Sequence, residues 1–184
     1  MAMNWKRALT WIIGILVLIA LIIFVKQVFF GSPSPTQLMQ DTMTLRTTND
    51  TVERAQLISS MDERVKEIES DAIAAQWATL ADCIAGDVCT QDDYFDFLLM
   101  VAVEKKDEVA NSDLIVNVIT VNRYWGNSEK IIEFSKALSD ADGQVEALQL
   151  KTVRNKWQEV IYCDGKCAEF HQLFFDFIRL LMSV

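Results

Sequence analysis

The sequence has few of the residues on which most enzyme sites depend. Its 184 residues include one histidine, two prolines and six glycines. A single histidine excludes most histidine-based catalysis, and no phosphate-binding loop, zinc-protease motif, serine-hydrolase motif or calcium-binding loop occurs. The low proline and glycine contents exclude collagen-like and proline-rich chains. With 51% hydrophobic and 23% charged residues, the chain has the composition of a folded protein.

Positive charge is scarce outside the first 30 residues. Of the 17 Lys and Arg residues, Lys6, Arg7 and Lys26 lie in this segment, which contains no Asp or Glu. The other 154 residues carry 14 basic and 26 acidic side chains, a net charge of −12. Because such a surface repels phosphate backbones, nucleic-acid binding is disfavoured.

A long uncharged run dominates the N-terminal segment. The run begins at Ala8 and ends at Val25, and Thr10 is its only polar side chain. As a helix it would be roughly 27 Å long, close to the hydrocarbon core of a bilayer at about 30 Å. It exceeds the apolar region of a cleaved signal peptide, and no small-residue cleavage site follows it. We therefore predict that residues 1–30 form a cytoplasmic tip and a transmembrane signal anchor, which contacts membrane lipid.

The charges around this run predict its orientation. Lys6 and Arg7 precede it, and the nearest positive charge after Lys26 is Arg46. The positive-inside rule then places the N-terminus in the cytoplasm and the C-terminal domain outside the cell membrane. This localisation is that of a single-pass membrane protein.

The residues at the start of the run allow one other interpretation. Lys6, Arg7 and Ala8, followed by Leu9 and Thr10, resemble the processing site of archaeal type IV prepilins. The resemblance covers about five residues and implies a pilin-like subunit with a processed N-terminus. The helix-rich remainder is unlike the β-rich heads of most such pilins.

The rest of the chain has the pattern of an all-α domain. Both prolines lie in residues 31–50, which we predict to be a Ser/Thr/Pro linker. The Thr-rich stretch from Thr36 to Thr51 is either a spacer or a frayed helix. Residues 51–184 contain no proline, and their apolar residues recur with helical period. This extracytoplasmic domain is predicted to contain about six helices. They cover residues 51–82, 91–109, 113–124, 128–140, 144–162 and 167–183.

Two parts of this domain resemble each other. When the sequence is shifted by 80 residues, Trp77 aligns with Trp157 and Cys83 with Cys163. Because tryptophan and cysteine are rare, we predict an internal duplication into helical hairpins 51–109 and 144–183, with helices of 113–141 between them. Each tryptophan is expected to pack against one aromatic residue of its own hairpin. The predicted core residues are Trp77, Phe95, Phe97, Trp157, Phe175 and Phe177.

The four cysteines form two local pairs. Cys83 and Cys89 bracket one glycine-containing turn, and Cys163 and Cys167 bracket another. A turn can bring such positions within the separation of about 4.4–6.8 Å between Cα atoms that a disulfide requires. We predict two structural disulfides. A four-thiolate zinc site, a redox-active pair and free thiols are the alternatives.

Three polar residues are candidates for chemistry. Asp96 and Asp176 each lie inside an apolar run, so paired carboxylates could bind a cation or act in acid–base catalysis. The simpler interpretation is that each lies on the polar side of its helix and pairs with a base such as Arg179. His171 is interpreted as a boundary or surface residue.

These observations predict an interaction or scaffold module of the cell envelope. The chain would be an anchored helical protein with protein partners, without catalysis, cofactor or metal. The alternatives are a ligand-sensing helical bundle, a pilin-like or envelope-assembly subunit, and a membrane-tethered enzyme or metal carrier that uses Asp96, Asp176 and the cysteines.

Overall fold

The computed structural model describes residues 34–163 and 170–184. The predicted anchor between Ala8 and Val25 and the predicted disulfide partner Cys167 lie outside these ranges. Within them, no helix combines the length and the apolar character needed to cross a membrane. The described residues from Pro35 onward belong to one compact unit.

The all-α class is confirmed for the described residues, which contain no strand. A short 3-10 helix, Ser128–Lys130, precedes α6. The eight α-helices within the described ranges are α1 (Pro35–Thr47), α2 (Thr51–Glu67), α3 (Asp71–Ala85), α4 (Gln91–Glu104), α5 (Ser112–Tyr124), α6 (Ile131–Ala147), α7 (Lys151–Tyr162) and α8 (Phe170–Leu181).

Helix α1 occupies most of the segment predicted as a linker. Pro35 suits the first turn of a helix, where a backbone N–H has no partner to lose. Leu38, Met39 and Met43 are buried, with at most 1% of each side chain exposed. The linker prediction for residues 31–50 is therefore wrong over α1. Because the segment is rich in threonine, its apolar helical face was not recognised from the sequence.

The helix predicted over residues 51–82 is two helices. Glu69, between α2 and α3, adopts a left-handed backbone with φ of 53°. The Ser70 hydroxyl then accepts a hydrogen bond from the Ile73 N–H and caps α3. Residues other than glycine seldom adopt this backbone, so the sequence carries little signal for such a break.

The break predicted between the helices over residues 128–140 and 144–162 is also wrong. Gly143 lies inside α6, because a single glycine weakens a helix without ending it. The chain turns instead at Gln149, again with φ of 53°. Glu69 and Gln149 are 80 residues apart.

The 80-residue offset extends to the helix bounds. Helices α2 and α6 each have 17 residues and begin 80 residues apart, as do the starts of α3 and α7. Helices α1 and α5 each have 13 residues and begin 77 residues apart, because the connection after α5 is three residues longer. We call α1–α4 the first helix set and α5–α8 the second helix set.

The helices of the two sets pack in the same order. In each set the first helix lies against the second and the last, and the last two helices lie against each other. Helix α4 also packs on α5, and α1 packs on α8, so the sets share one core. The ends α4 and α8 therefore lie where the two sets meet.

Candidate functional site

Two tryptophan–aspartate pairs hold equivalent positions in the two sets. The Trp77 Nε1–H donates to Asp62 Oδ1 at 2.6 Å, and the Trp157 Nε1–H donates to Asp142 Oδ1 at the same distance. The tryptophans are 5% and 2% exposed. The sequence analysis missed both aspartates, although they are themselves 80 residues apart.

The predicted core aromatics divide into two kinds of contact. The Trp77 ring lies 5.5 Å from Phe97, and the Trp157 ring lies 5.2 Å from Phe177, between ring centroids. Phe95 and Phe175 stack on each other, with centroids 4.0 Å apart. The stacked pair therefore joins α4 to α8, whereas the tryptophan contacts lie within each set.

The two candidate carboxylates, Asp96 and Asp176, make different kinds of contact. Asp96 on α4 forms an ion pair with Arg123 on α5. Asp176 on α8 accepts a hydrogen bond at 2.8 Å from Gln172 Nε2. The partner of Asp96 is thus Arg123, where the sequence suggested a base such as Arg179. The structure engages Asp96 and Asp176 in separate contacts.

His171 also takes part in a contact between helices. Its Nδ1 lies 2.9 Å from Asn122 Oδ1 on α5, within hydrogen-bond distance. Asn122 is buried, with 4% exposure, whereas His171 is exposed. The contact gives the buried Asn122 amide a hydrogen-bond partner. This is a structural role for the chain's one histidine.

The three cysteines within the described residues are oxidised. Cys83 and Cys89 are joined by a disulfide, with their Cα atoms 5.0 Å apart. Cys163 is also disulfide-bonded, and its predicted partner Cys167 lies outside the described residues. An oxygen of Asp93 lies within 4.8 Å of both Cys83 and Cys89 sulfurs. Because a disulfide offers no thiolate, this cluster lacks the ligands of a zinc site in its oxidised form.

A shallow groove of about 500 Å³ runs between α5 and α6. Asp113, Asn117 and Gln144 are among its lining residues. The Asn117 Nδ2–H donates to Gln144 Oε1 at 3.0 Å, and Asp113 pairs with Lys106 at 2.7 Å. Three of the polar groups that line the groove are thus engaged with protein partners.

Burial and nearby charges shift the pKa values of two residues where α1, α4 and α8 meet. Arg46 lies with its guanidinium carbon 4.0 Å from the centroid of the Phe175 ring, and burial lowers its pKa. Tyr94 is 7% exposed. Burial raises the pKa of Tyr94, and the charges of Arg54 and Arg46 oppose that rise. The sequence analysis singled out neither Arg46 nor Tyr94 as a site residue.

Comparison with known proteins gives no match. No protein-family model, no curated protein and no solved structure matches this chain. The functional interpretation therefore depends on the contacts described above.

Proposed function

We propose that this chain is a membrane-anchored, extracytoplasmic helical protein that acts as an interaction or scaffold module of the cell envelope. The supporting observation is the use made of its reactive side chains. Asp96, Asp176 and His171 are each bound to another side chain within or between helices. Groups held in this way stabilise a rigid surface, which is what a scaffold presents to a partner.

We also propose that the domain arose by internal duplication of a four-helix unit. Three observations support it: the equivalent tryptophan–aspartate bonds, the equivalent left-handed residues Glu69 and Gln149, and the equal lengths of the first two helices of each set. The proposed unit is larger than the predicted hairpin, because it also includes α1 in the first set and α5 in the second. Two such units would offer a partner two related surfaces.

The disulfide supports the extracytoplasmic placement. Disulfides persist in oxidising compartments and are rare in the cytosol, where thiols are kept reduced. The bond between Cys83 and Cys89 is therefore consistent with the orientation that the N-terminal charges predict. The run from Ala8 to Val25 would supply the tether.

Cysteine labelling on intact cells tests this topology. The described residues contain no free cysteine, so an introduced thiol provides the signal. Ile132 is 79% exposed on α6, and Ile132→Cys should react with a membrane-impermeant maleimide. Met3→Cys, the matched control before the anchor, should react only after the cells are permeabilised. The reverse pattern would contradict the proposed orientation.

Site-directed crosslinking tests the interaction role. A photoreactive residue at Ile132 or Tyr162, which are 79% and 80% exposed, should yield a discrete adduct in native membranes. The same residue at buried Phe177 is the matched control and should yield none. If neither Ile132 nor Tyr162 gave an adduct above that control, the scaffold proposal would be rejected.

A further inference from the structure

The corner between α3 and α4 brings two sulfurs and a carboxylate to one place. Cys83 lies in the last turn of α3, Cys89 just before α4, and Asp93 in the first turn of α4. Their ligand atoms, two Sγ and one carboxylate oxygen, all lie within 4.8 Å of one another. Because the two sulfurs form a disulfide in the structure, they become metal ligands only when that bond is reduced. The corner therefore has two chemical states with different binding properties.

The two cysteines and a nearby carbonyl group are placed to surround one ion. The Cα atoms of Cys83 and Cys89 are 5.0 Å apart. Once the disulfide is broken, rotation about each Cα–Cβ bond separates the sulfurs around an ion that lies about 2.3 Å from each of them. The Leu80 carbonyl oxygen lies 3.1 Å from Cys83 Sγ and 3.7 Å from Cys89 Sγ. With Asp93 it completes the four ligands of a tetrahedral zinc site.

Asp93 is held in place and keeps one oxygen without a hydrogen bond. Its Oδ2 accepts hydrogen bonds from the Thr90 N–H at 2.6 Å and from the Thr90 hydroxyl at 2.8 Å, as part of the cap of α4. Its Oδ1 accepts no hydrogen bond from any described residue. The cap thus fixes the carboxylate and leaves Oδ1 for a cation. A ligand that is already fixed loses little conformational freedom on binding.

The charge and the ligand types of this corner favour a soft cation. Residues 82–93 contain four aspartates and no lysine, arginine or histidine, so their negative charge attracts cations. Cys83, Cys89 and Asp93 are all partly exposed, so an ion from solvent reaches them. Thiolates select zinc and related soft cations, whereas Mg²⁺ and Ca²⁺ prefer oxygen ligands alone. In its reduced state the corner therefore has the ligands of a zinc site.

We propose that the reduced corner is a Zn²⁺ site with Cys83, Cys89 and Asp93 as its side-chain ligands, and that the disulfide closes this site. A dithiol reductant opens it by supplying two electrons and two protons to the Cys83–Cys89 bond, and is itself oxidised to a disulfide. Zn²⁺ then binds as the two thiols release their protons. The bound ion and the disulfide exclude each other, because a disulfide offers no thiolate. This site goes beyond the proposed scaffold function and does not depend on it.

Cadmium titration of the full chain in a non-ionic detergent tests the site. Cys163→Ser and Cys167→Ser together remove the other two cysteines, and this double variant is the reference protein. Cd²⁺ is the probe, because thiolates bound to it give an ultraviolet charge-transfer band. After reduction by a phosphine, the reference protein should bind a single Cd²⁺ saturably, and before reduction it should give no band. Added Zn²⁺ should displace Cd²⁺ and remove the band, whereas Mg²⁺ should leave it unchanged.

Substitutions in the first turn of α4 separate ligation from charge and from helix capping. In the reference protein, Asp93→Asn should weaken Cd²⁺ binding by at least about tenfold. Asp92→Asn is the matched control, because Asp92 is exposed in the same turn and lies outside the ligand cluster, and it should bind like the reference protein. Thr90→Ala weakens the cap but keeps the Asp93 carboxylate, so it should weaken binding much less than Asp93→Asn. Circular dichroism checks the fold of each variant.

The proposal is overturned if the reduced reference protein gives no saturable band, if a band appears before reduction, or if Zn²⁺ fails to displace Cd²⁺. Equal affinity in the reference protein and Asp93→Asn, or equal weakening by Asp92→Asn, would also overturn it. Equal weakening by Thr90→Ala would mean that Asp93 acts through the helix cap and is not a ligand. If the double serine variant does not fold, the same comparison of Asp93→Asn with Asp92→Asn is made in the chain with all four cysteines.

Discussion

At the scale of single residues, Trp77 and Trp157 each use both parts of the indole. The ring packs on a phenylalanine of the returning helix, and the N–H donates to a carboxylate of the preceding helix. A buried indole N–H without a partner would cost free energy, so the aspartate is what allows tryptophan at a core position. Each tryptophan thereby ties three helices together.

The Trp157 bond should contribute measurably to stability. Trp157→Phe keeps most of the ring but leaves Asp142 without its donor, and we expect the free energy of unfolding to fall by about 1–2 kcal/mol. Chemical denaturation of the full chain in detergent measures the change. In Asp142→Ala, Trp157→Phe should have a much smaller effect, because the bond is already absent.

A tryptophan that makes no side-chain hydrogen bond provides the control. Trp125 packs on aromatic rings, and its indole N–H has no partner among the described residues. Trp125→Phe therefore reports the loss of ring volume alone. If the effect of Trp157→Phe were unchanged in the Asp142→Ala background, the hydrogen bond would have no energetic role.

Tyr94 should make stability depend on alkaline pH. Burial raises its pKa in the folded state above the unfolded value of about 10. The unfolded chain therefore loses the proton first, and the free energy of unfolding falls as the pH rises past about 10, until the folded pKa is reached. Tyr94→Phe removes this contribution, so its stability should fall less steeply between about pH 9 and 11. Urea unfolding across this range measures both slopes.

Exposed Tyr162 supplies the comparison for Tyr94. Tyr162 is 80% exposed, so Tyr162→Phe should retain the wild-type slope. Equal slopes in the wild type and Tyr94→Phe would mean that the Tyr94 hydroxyl is as well solvated in the folded chain as in the unfolded chain.

At the scale of helices, the chain turns where residues other than glycine take a left-handed backbone. Glu69, Asp87, Asn111 and Gln149 all have positive φ, and each lies between two helices. Gly126 is the one glycine with positive φ in the described residues. Glycine therefore gives an unreliable guide to the helix boundaries of this protein.

Gly143→Ala tests the continuity of α6. A Cβ at this position would meet nothing within 4 Å, and the residue lies in the interior of the helix. Alanine should therefore raise the free energy of unfolding by about 1 kcal/mol, through its higher helix propensity. Thermal unfolding followed by circular dichroism measures the change.

Gly126→Ala should have the opposite effect. Gly126 has φ of 73°, a backbone that costs alanine about 1–2 kcal/mol. Its open surroundings leave backbone strain as the cause of any loss. A loss of stability in Gly143→Ala as large as that in Gly126→Ala would indicate a bend at Gly143.

At the scale of the whole domain, contacts between the helix sets make one core. Phe95 stacks on Phe175, Asp96 pairs with Arg123, and Arg46 bonds to Gln172. Each contact joins a helix of one set to a helix of the other. The two sets are therefore expected to unfold together. If one set unfolded alone, it would expose apolar side chains on the last helix of the other.

The Phe95–Phe175 stack should couple the two sets energetically. Phe95→Leu and Phe175→Leu are each expected to destabilise the domain, and their combined effect should differ from the sum by about 0.5–1.5 kcal/mol. A double-mutant cycle by denaturant unfolding measures this term. Phe95→Leu with Val52→Ala is the control pair, because Val52 is 65% exposed on α2 and should give additive effects. An additive Phe95–Phe175 cycle would mean that the stack does not hold the sets together.

The sequence by itself determined the all-α class, because helical periodicity and the lack of proline after residue 35 depend on local pattern alone. It also indicated the 80-residue offset, through rare residues such as Trp77 and Trp157 whose spacing is read directly. It underestimated the repeating unit, since α1 has a Thr-rich composition and its apolar face becomes evident only when packed.

Only the tertiary structure decided which side chains meet. Arg123 lies 27 residues from Asp96, Phe175 lies 80 from Phe95, and Gln172 lies 126 from Arg46. No local pattern selects such partners, because helix packing chooses them after each helix is formed.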